Sequence, residues 1–221
     1  MAIDEATQLI TELASRERRP LTQDQRRRVS ERRLLDAATD LVAEKGAAKL
    51  TLAAIGDRAG YSRGMVTERF GSKRGLMAAL VVDIQDRVTT QILEPAIAQK
   101  RGLPAIEACI DATLIALGSD DRVGLAFLTL IGESLALDPE LRSGLARVGS
   151  NFRRRFAIYV EEAIDDGSIR STDSPTSSAF LLLGVLIGLA TQYLVDREAT
   201  SIESMQADAH RFLDGLVISS E

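Results

Sequence analysis

Hydrophobic residues recur every three or four positions along most of this chain, the spacing that places them on one face of an α-helix. Within residues 33–46 the apolar positions share one such face, and they are Leu34, Leu35, Ala38, Leu41 and Val42. Similar stripes predict helices over residues 73–100, 105–117, 122–137, 139–166, 175–195 and 202–217. Pro95 should kink or end the first of these, because proline lacks the amide hydrogen that a helix interior needs. The expected fold class is therefore all-α.

Residues 50–70 read LTLAAIGDRAGYSRGMVTERF and predict two short helices around a tight turn. Thr51 and Ser62 can each cap a helix by accepting a backbone N–H of its first turn. Gly60 can adopt the left-handed conformation that ends the first helix. Two small helices at a glycine-containing turn match the helix-turn-helix, whose second helix enters the DNA major groove. An ordinary helical hairpin is the alternative.

The flanking residues make this match more specific. The upstream helix ends in EKG, and the second short helix is followed by GSK, in which Ser72 can cap a further helix. Over residues 34–76 the sequence resembles the amino-terminal domain of the TetR family of transcriptional regulators. That family typically shows a first helix ending in E-K-G, then T-x-x-x-I-A-x-x-A-G-V-S-x-G-x-x-Y-x-H-F-x-S-K. The resemblance implies a helix-turn-helix domain of three helices followed by a helical ligand-binding and dimerisation domain.

Four positions depart from the family pattern. Thr67 stands where the family has a Tyr that contacts phosphate, so the hydroxyl remains but the reach of the tyrosine ring is lost. Arg69 stands where the family has His. Glu68 adds a negative charge to the second helix, which must point away from phosphate or toward a cytosine amino group. Gly56 replaces a small alanine, which lowers helix propensity and permits close packing. The departures make base-by-base inference from the family unsafe.

The formal net charge of −5 hides an uneven distribution of charge. Residues 1–80 hold 15 Lys and Arg against 11 Asp and Glu, whereas residues 81–221 hold 12 against 21. Positive charge therefore accompanies the helix-turn-helix, as expected for a region that faces nucleic acid. We expect a basic N-terminal arm over residues 1–29, a DNA-binding domain over residues 30–74, and a ligand-binding and dimerisation domain over residues 75–221.

The predicted arm combines a short apolar stripe with two clusters of arginine. Residues 3–14 would form a short amphipathic helix, which is too short to be stable alone in water. The arginines follow in residues 16–20 and 26–28. Such an arm can lie along phosphates or enter the adjacent minor groove. A solvated tail is an equally good interpretation.

Composition argues against several other classes of protein. The chain has one cysteine (Cys109), one histidine (His210) and no glycine-rich phosphate loop. It therefore offers no pair of nucleophile and base and no cluster of metal ligands. We expect neither an enzyme nor a cofactor or metal. The terminus MAIDE lacks the basic and apolar regions of a signal peptide, so a cytoplasmic location is expected.

Residues 175–195 are apolar around the whole helix circumference, and a membrane span is the competing interpretation. The apolar run is shorter than the roughly 20 residues that a bilayer needs. It contains Thr191 and Gln192 and lacks basic flanks. We therefore expect a helix buried on several sides, in core and interface at once, and no membrane contact.

The resemblance and the helical spacing direct one set of residues toward DNA. Arg63 is the candidate for a bidentate contact with guanine, and Met65 for a thymine methyl group. Phosphate contacts are expected from Thr51, Thr67 and Lys73. The full predicted set is Thr51, Ser62, Arg63, Gly64, Met65, Thr67, Arg69 and Lys73.

A ligand cavity is expected among the helices over residues 105–117, 122–137 and 139–166 and the inner side of 175–195. Aromatic residues make up only 4% of the chain, yet four of them concentrate in two neighbouring helices, with hydroxyls nearby. The competing interpretation is that these rings fill the core. The predicted wall consists of Cys109, Thr113, Phe127, Ile131, Ser134, Phe152, Phe156 and Tyr159. Its apolar bias implies a small, mainly apolar effector.

The last two helices of each subunit form a four-helix dimer interface in the family, and residues 175–195 and 202–217 look like that pair. So apolar a surface would be an aggregation liability on a monomer. The predicted interface residues are Leu181, Gly184, Val185, Gly188, Gln192, Met205, Phe212 and Leu216.

The resemblance implies a transcriptional regulator, more often a repressor than an activator, that acts as a homodimer on palindromic double-stranded DNA. A small-molecule effector would change the spacing of the two recognition helices. The alternative function is a helical small-molecule-binding protein that has lost specific DNA binding, an interpretation that Thr67 and Glu68 leave open.

Overall fold

The computed structural model describes residues 22–119, 122–137, 139–169 and 174–215, and the regular elements in these ranges are helices. Helix α1 (Gln23–Lys45) begins upstream of the predicted start at residue 33. The cause is local: the Thr22 hydroxyl accepts from the Gln25 amide, and the Gln25 side chain accepts from the Thr22 amide. Arginines 26–28, assigned to the arm, therefore lie exposed on α1. The predicted helix over residues 3–14 and the arginines in 16–20 lie outside the described residues.

The two predicted short helices are α2 (Leu52–Ala59) and α3 (Arg63–Phe70). The caps are confirmed, because the Thr51 hydroxyl accepts from the Ala54 amide and the Ser62 hydroxyl from the Met65 amide. Gly60 ends α2 in the left-handed conformation, at φ 77° and ψ 31°. A Cβ atom on Gly56 would lie 2.6 Å from the Tyr61 carbonyl oxygen. The glycine thus permits the close approach of the turn, as its place in the sequence suggested.

The predicted helix over residues 73–100 is divided into three parts. Helix α4 (Lys73–Arg87) continues into a π-helical segment, Val88–Leu93, and then into the short α5 (Glu94–Ile97). Pro95 lies in the first turn of α5, where a missing amide hydrogen breaks no bond. The change of pitch precedes the proline, and such π segments are frequent at functional sites.

Five longer helices form the body of the protein. They are α6 (Gly102–Gly118), α7 (Arg122–Leu137), α8 (Pro139–Asp165), α9 (Pro175–Val195) and α10 (Ile202–Asp214). Helix α8 is the centre of this body, because α4, α6, α7 and α9 all pack against it. Helix α10 packs on α6, and α7 packs along α1. The body therefore contacts the helix-turn-helix domain through the packing of α7 on α1.

A cluster of charged side chains also joins α1 to α4. Arg87 is buried, and its guanidinium lies 2.7 Å from the Asp83 carboxylate and 2.5 Å from that of Asp36. These contacts are close ion pairs, although the N–H groups of Arg87 are not aligned as hydrogen bonds. Arg32 adds a third pair, 3.0 Å from Asp83. Burial raises the pKa of Asp83, while both arginines oppose that shift.

Candidate DNA-binding surface and ligand cavity

Helix α3 presents a polar edge to solvent. Ser62, Arg63, Gly64 and Thr67 are exposed, and Met65 is half-buried. The Thr67 hydroxyl donates to the Arg63 carbonyl oxygen at 3.1 Å, so it would have to rotate to donate to a phosphate. These four exposed residues belong to the set that the sequence directs toward the major groove, and their contact with DNA stays a prediction.

Two long side chains of the predicted DNA-binding set contact the protein instead. The Arg69 guanidinium donates from Nη2 to the Ser30 hydroxyl at 3.1 Å, and its Nε is buried. Lys73 Nζ donates to the Ala48 carbonyl oxygen at 3.3 Å. Arg69 is therefore half-buried and bonded to α1, and its place in the DNA-binding set stays a prediction. Helical spacing locates the Cα atom of an arginine, whereas the far end of its side chain turns to the nearest acceptor.

An ion pair holds α2 against the end of α1. Arg58 donates from its two terminal nitrogens to the two carboxylate oxygens of Glu44, at 3.0 and 2.8 Å. Arg122, at the start of α7, lies 3.7 Å from the same carboxylate. The hydrogen bond from Arg58 lowers the pKa of Glu44, and the positive charges of Arg58 and Arg122 add to that shift. This planar, two-point contact fixes the orientation of α2.

An apolar cavity lies in the body of the protein, between α6, α7, α8, α9 and the π-helical segment. Its empty space is about 660 Å³, and part of this space is open to solvent. The lining residues are Val88, Ile92, Leu93, Thr113, Ala116, Leu117, Gly124, Phe127, Leu128, Phe152, Phe156, Leu183, Leu186, Ile187 and Ala190. The rings of Phe127 and Phe152 meet edge to face, with centroids 6.2 Å apart. Such a wall suits a small apolar molecule.

Half of the predicted wall lies in this cavity, namely Thr113, Phe127, Phe152 and Phe156. The other half does not, and the prediction is wrong for Cys109, Ile131, Ser134 and Tyr159. Cys109 and Ser134 are buried in the core, and the Ser134 hydroxyl donates to the Ile131 carbonyl oxygen. Ile131 packs against the core, and Tyr159 lines a separate open groove beside Arg154 and Arg155. Helical spacing groups residues by face, but it does not tell which face looks into the cavity and which into the core.

Sequence reasoning missed the contribution of the helix that leads from the helix-turn-helix. Val88, Ile92 and Leu93 line the cavity from the π-helical segment. Val88 and Ile92 belong to a helical stripe in the sequence, but the stripe indicates only burial, and Leu93 is not part of it. All three residues lie in the π-helical segment, whose position no residue pattern indicated.

The predicted dimer residues divide between surface and core. Leu181 and Phe212 are 60% and 46% exposed. Gly184 and Gly188 face open space, since a Cβ atom there would meet nothing within 4 Å. Met205, by contrast, is only 3% exposed within the protomer, so its placement in an interface is wrong. The remaining three are Val185, which is half-buried, Gln192, which is exposed, and Leu216, which lies outside the described residues.

Helix α9 is long and apolar enough to cross a membrane by length and composition, and 28% of its most apolar window is buried inside the protomer. Phe180 and Val195 extend its exposed apolar surface at 63% and 82% exposure. The predicted set of interface residues contains neither of them, although both belong to the apolar run over residues 175–195. Across residues 22–215, leaving out those not described, no group of three or more His, Cys, Asp and Glu side chains could hold a metal ion.

The sequence matches two family profiles. Residues 34–80 match bacterial regulatory proteins of the tetR family, and residues 104–217 match the C-terminal domain of BetI-type transcriptional repressors. No curated protein matches the sequence.

Solved structures of regulators share the fold. A TetR-family transcriptional regulator from Agrobacterium tumefaciens is 16% identical and aligns over 87% of this chain and 100% of its own, with a TM-score of 0.74. The regulatory protein TetR from Rhodobacter sphaeroides is 19% identical over 83% of this chain and 98% of its own, with a TM-score of 0.72. The SmeT–triclosan complex is 25% identical over 87% of this chain and 93% of its own, with a TM-score of 0.73. SmeT is the repressor of the Stenotrophomonas maltophilia multidrug efflux pump SmeDEF.

Proposed function

The chain belongs to the TetR family of bacterial regulatory proteins, and from that premise we propose that it is a cytoplasmic, ligand-responsive transcriptional repressor. A homodimer, formed through α9 and α10, binds a palindromic double-stranded operator. Its DNA-binding domain covers residues 30–74, with α1 extending upstream of it, and its ligand-binding and dimerisation domain covers residues 75–221. A small, mainly apolar effector in the cavity releases the operator.

The observation that carries this proposal is the path of one helix. Helix α4 begins at Lys73, directly after the exposed recognition helix α3, and its π-helical continuation lines the cavity through Val88, Ile92 and Leu93. An effector that fills the cavity must contact this segment. Because the segment is continuous with α4, a shift at the cavity moves the start of α4 and the helix-turn-helix packed on it. The two sites are thereby linked through covalent and helical continuity.

The apolar wall supports an effector of low polarity. Thr113 is the one hydroxyl-bearing residue in the described part of the lining, and its hydroxyl already donates to the Cys109 carbonyl oxygen at 2.8 Å. Among the residues that the structure describes, no charged side chain lines the cavity. The complex of SmeT with triclosan supports the same class of effector. Such a molecule would be held by shape and by burial of apolar surface.

Energetically, the effector must bind the DNA-incompetent arrangement more tightly than the DNA-binding one. Each 1.4 kcal/mol of that preference weakens operator binding about tenfold. Filling the cavity with a molecule that contacts both arrangements equally would leave the operator affinity unchanged.

The test begins with selection of bound sequences from a randomised duplex pool at moderate salt, with the full chain. We expect a palindromic site, and Arg63→Ala should relax its base preference at a cost of about 1–3 kcal/mol. Triclosan, used as the first apolar probe, should weaken binding to the selected site. Phe127→Ala should change that response while operator affinity without the probe remains nearly intact.

The outcomes also separate the alternative function. If no sequence is enriched while the probe binds, the protein is a helical small-molecule-binding protein without specific DNA recognition. If Phe127→Ala abolishes folding and DNA binding together, the ring belongs to the core and the effector site lies elsewhere.

A further inference from the structure

One carboxylate of the body reaches the loop that connects α1 to α2. Glu133, on α7, accepts a hydrogen bond from the Ala48 amide at 3.0 Å through Oε2. The Ala48 carbonyl oxygen accepts a second hydrogen bond from Lys73 Nζ, at the start of α4. The polar atoms of Ala48 are thus held from two sides, by a cavity-lining helix and by the helix that leaves the helix-turn-helix.

The other carboxylate oxygen of Glu133 lies against Gly46. This glycine ends α1 with φ +81°, and a Cβ atom built on it would lie 2.2 Å from Glu133 Oε1. The carboxylate therefore occupies the space that a side chain at position 46 would need. Gly46 leaves space for one carboxylate oxygen of Glu133, and the Ala48 amide donates a hydrogen bond to the other.

The same helix contacts the cavity on its other side. Gly124, Phe127 and Leu128 of α7 line the cavity. Glu133 follows Phe127 by six residues, which turns it roughly 240° around the helix and about 9 Å along it. A rigid helix that is displaced at Phe127 must also move its Glu133 carboxylate.

We propose that Glu133 is a positioning residue that couples the state of the cavity to the orientation of the helix-turn-helix. This inference rests on the proposed function, and it names the link that the regulation uses. With the cavity empty, Glu133 holds the Gly46–Ala48 segment against α7. Filling the cavity displaces α7, breaks the bond to Ala48 and releases the segment that leads into α2. The Ala48–Glu133 bond is exposed to solvent, so it can break without burying an unsatisfied group.

The test measures amide hydrogen exchange by mass spectrometry in a peptide covering residues 46–50, using the full chain without DNA. Glu133→Ala should speed exchange of this peptide about tenfold. Glu133→Gln keeps an oxygen that can accept from Ala48 and should stay within about threefold of the parent protein. Glu161→Ala, which removes an exposed carboxylate of α8, serves as the control and should change nothing.

A larger side chain that fills part of the cavity permanently, here called the occupant, tests the coupling. Ala116→Leu adds side-chain volume from α6, and Ala116→Val is the milder form if circular dichroism shows that the first variant is unfolded. With Glu133 present, the occupant should speed exchange of the 46–50 peptide severalfold. With Glu133→Ala, it should add less than about twofold, because the bond is already lost.

Equal exchange in the parent and Glu133→Ala proteins would overturn the proposal, as would an occupant effect of the same size in both backgrounds. Neither measurement involves DNA or a ligand. Failure to select an operator would therefore remove the proposed function without deciding the role of Glu133, and an unchanged 46–50 peptide would reject the role of Glu133 without affecting the proposed function.

Discussion

The Arg69 guanidinium donates a hydrogen bond to the Ser30 hydroxyl at 3.1 Å and thereby joins the recognition helix α3 to α1. Ser30 in turn donates to the Arg27 carbonyl oxygen within α1, and it is buried. The last turn of α3 is therefore anchored, whereas Arg63 in its first turn is exposed to solvent. Two arginines six positions apart on adjacent turns have different surroundings, and they should respond differently to substitution.

We predict that Arg69→Ala lowers the free energy of unfolding by about 1–2 kcal/mol, because it removes a charged donor from a partly buried hydroxyl. Arg63→Ala, at an exposed position, should change it by less than about 0.5 kcal/mol. Denaturant unfolding of the two variants provides the measurement. Equal stability of the two would mean that the Arg69–Ser30 bond contributes nothing in solution.

Gly56 and Gly64 form a second matched pair. A Cβ atom on Gly56 would approach the Tyr61 carbonyl oxygen to 2.6 Å, whereas one on Gly64 would meet only the Ser62 hydroxyl oxygen, at 3.6 Å. Gly56→Ala should destabilise the protein by about 1–3 kcal/mol, since the backbone of the turn must shift. Gly64→Ala should be neutral or stabilising, because alanine is the better helix former. Thermal unfolding followed by circular dichroism distinguishes them, and a stable Gly56→Ala variant would show that the turn relaxes freely.

The proposed dimer interface is tested at Gly188, which faces open space on α9. Gly188→Arg should produce monomers or insoluble protein, because a long charged side chain would lie where a second copy packs. Gly132→Arg is the control, since Gly132 is an exposed glycine on α7 that also faces open space. Sedimentation of both variants gives the answer. If the Gly188 variant sediments as a normal dimer, the interface lies elsewhere.

The Cys109 thiol should be unreactive in the folded protein. Burial raises its pKa to about 12, although Arg155 partly opposes the shift, so almost no thiolate is present at pH 8. A raised pKa means that the folded state holds this proton more tightly. Its contribution to stability is complete below the unfolded pKa near 9 and is lost as the pH rises through about 12. Ellman's reagent at pH 8 should label the thiol only after guanidinium is added; rapid labelling of native protein would contradict the burial.

The sequence alone determined the fold class, most helix bounds and the caps of the helix-turn-helix. Thr51 and Ser62 cap their helices through bonds to residues three positions on, and the bounds of α7 and α9 coincide with those predicted. Such features depend on interactions within one or two turns, so the local residue pattern is enough to reveal them. The early start of α1 had a local signal too, in the reciprocal bonds of Thr22 and Gln25.

Only the tertiary structure decided where side-chain ends lie and which neighbour covers a given face. Arg69 finds Ser30 across 39 positions of sequence, and Glu133 finds Ala48 across 85. On α10, Met205 turns inward and Phe212 outward, although both are apolar and lie on one predicted interface. Periodicity groups residues into faces of a helix, but the packing of distant helices assigns each face to the core, the cavity or the surface. That packing is set by the summed burial of many residues far apart in sequence, which no local window contains.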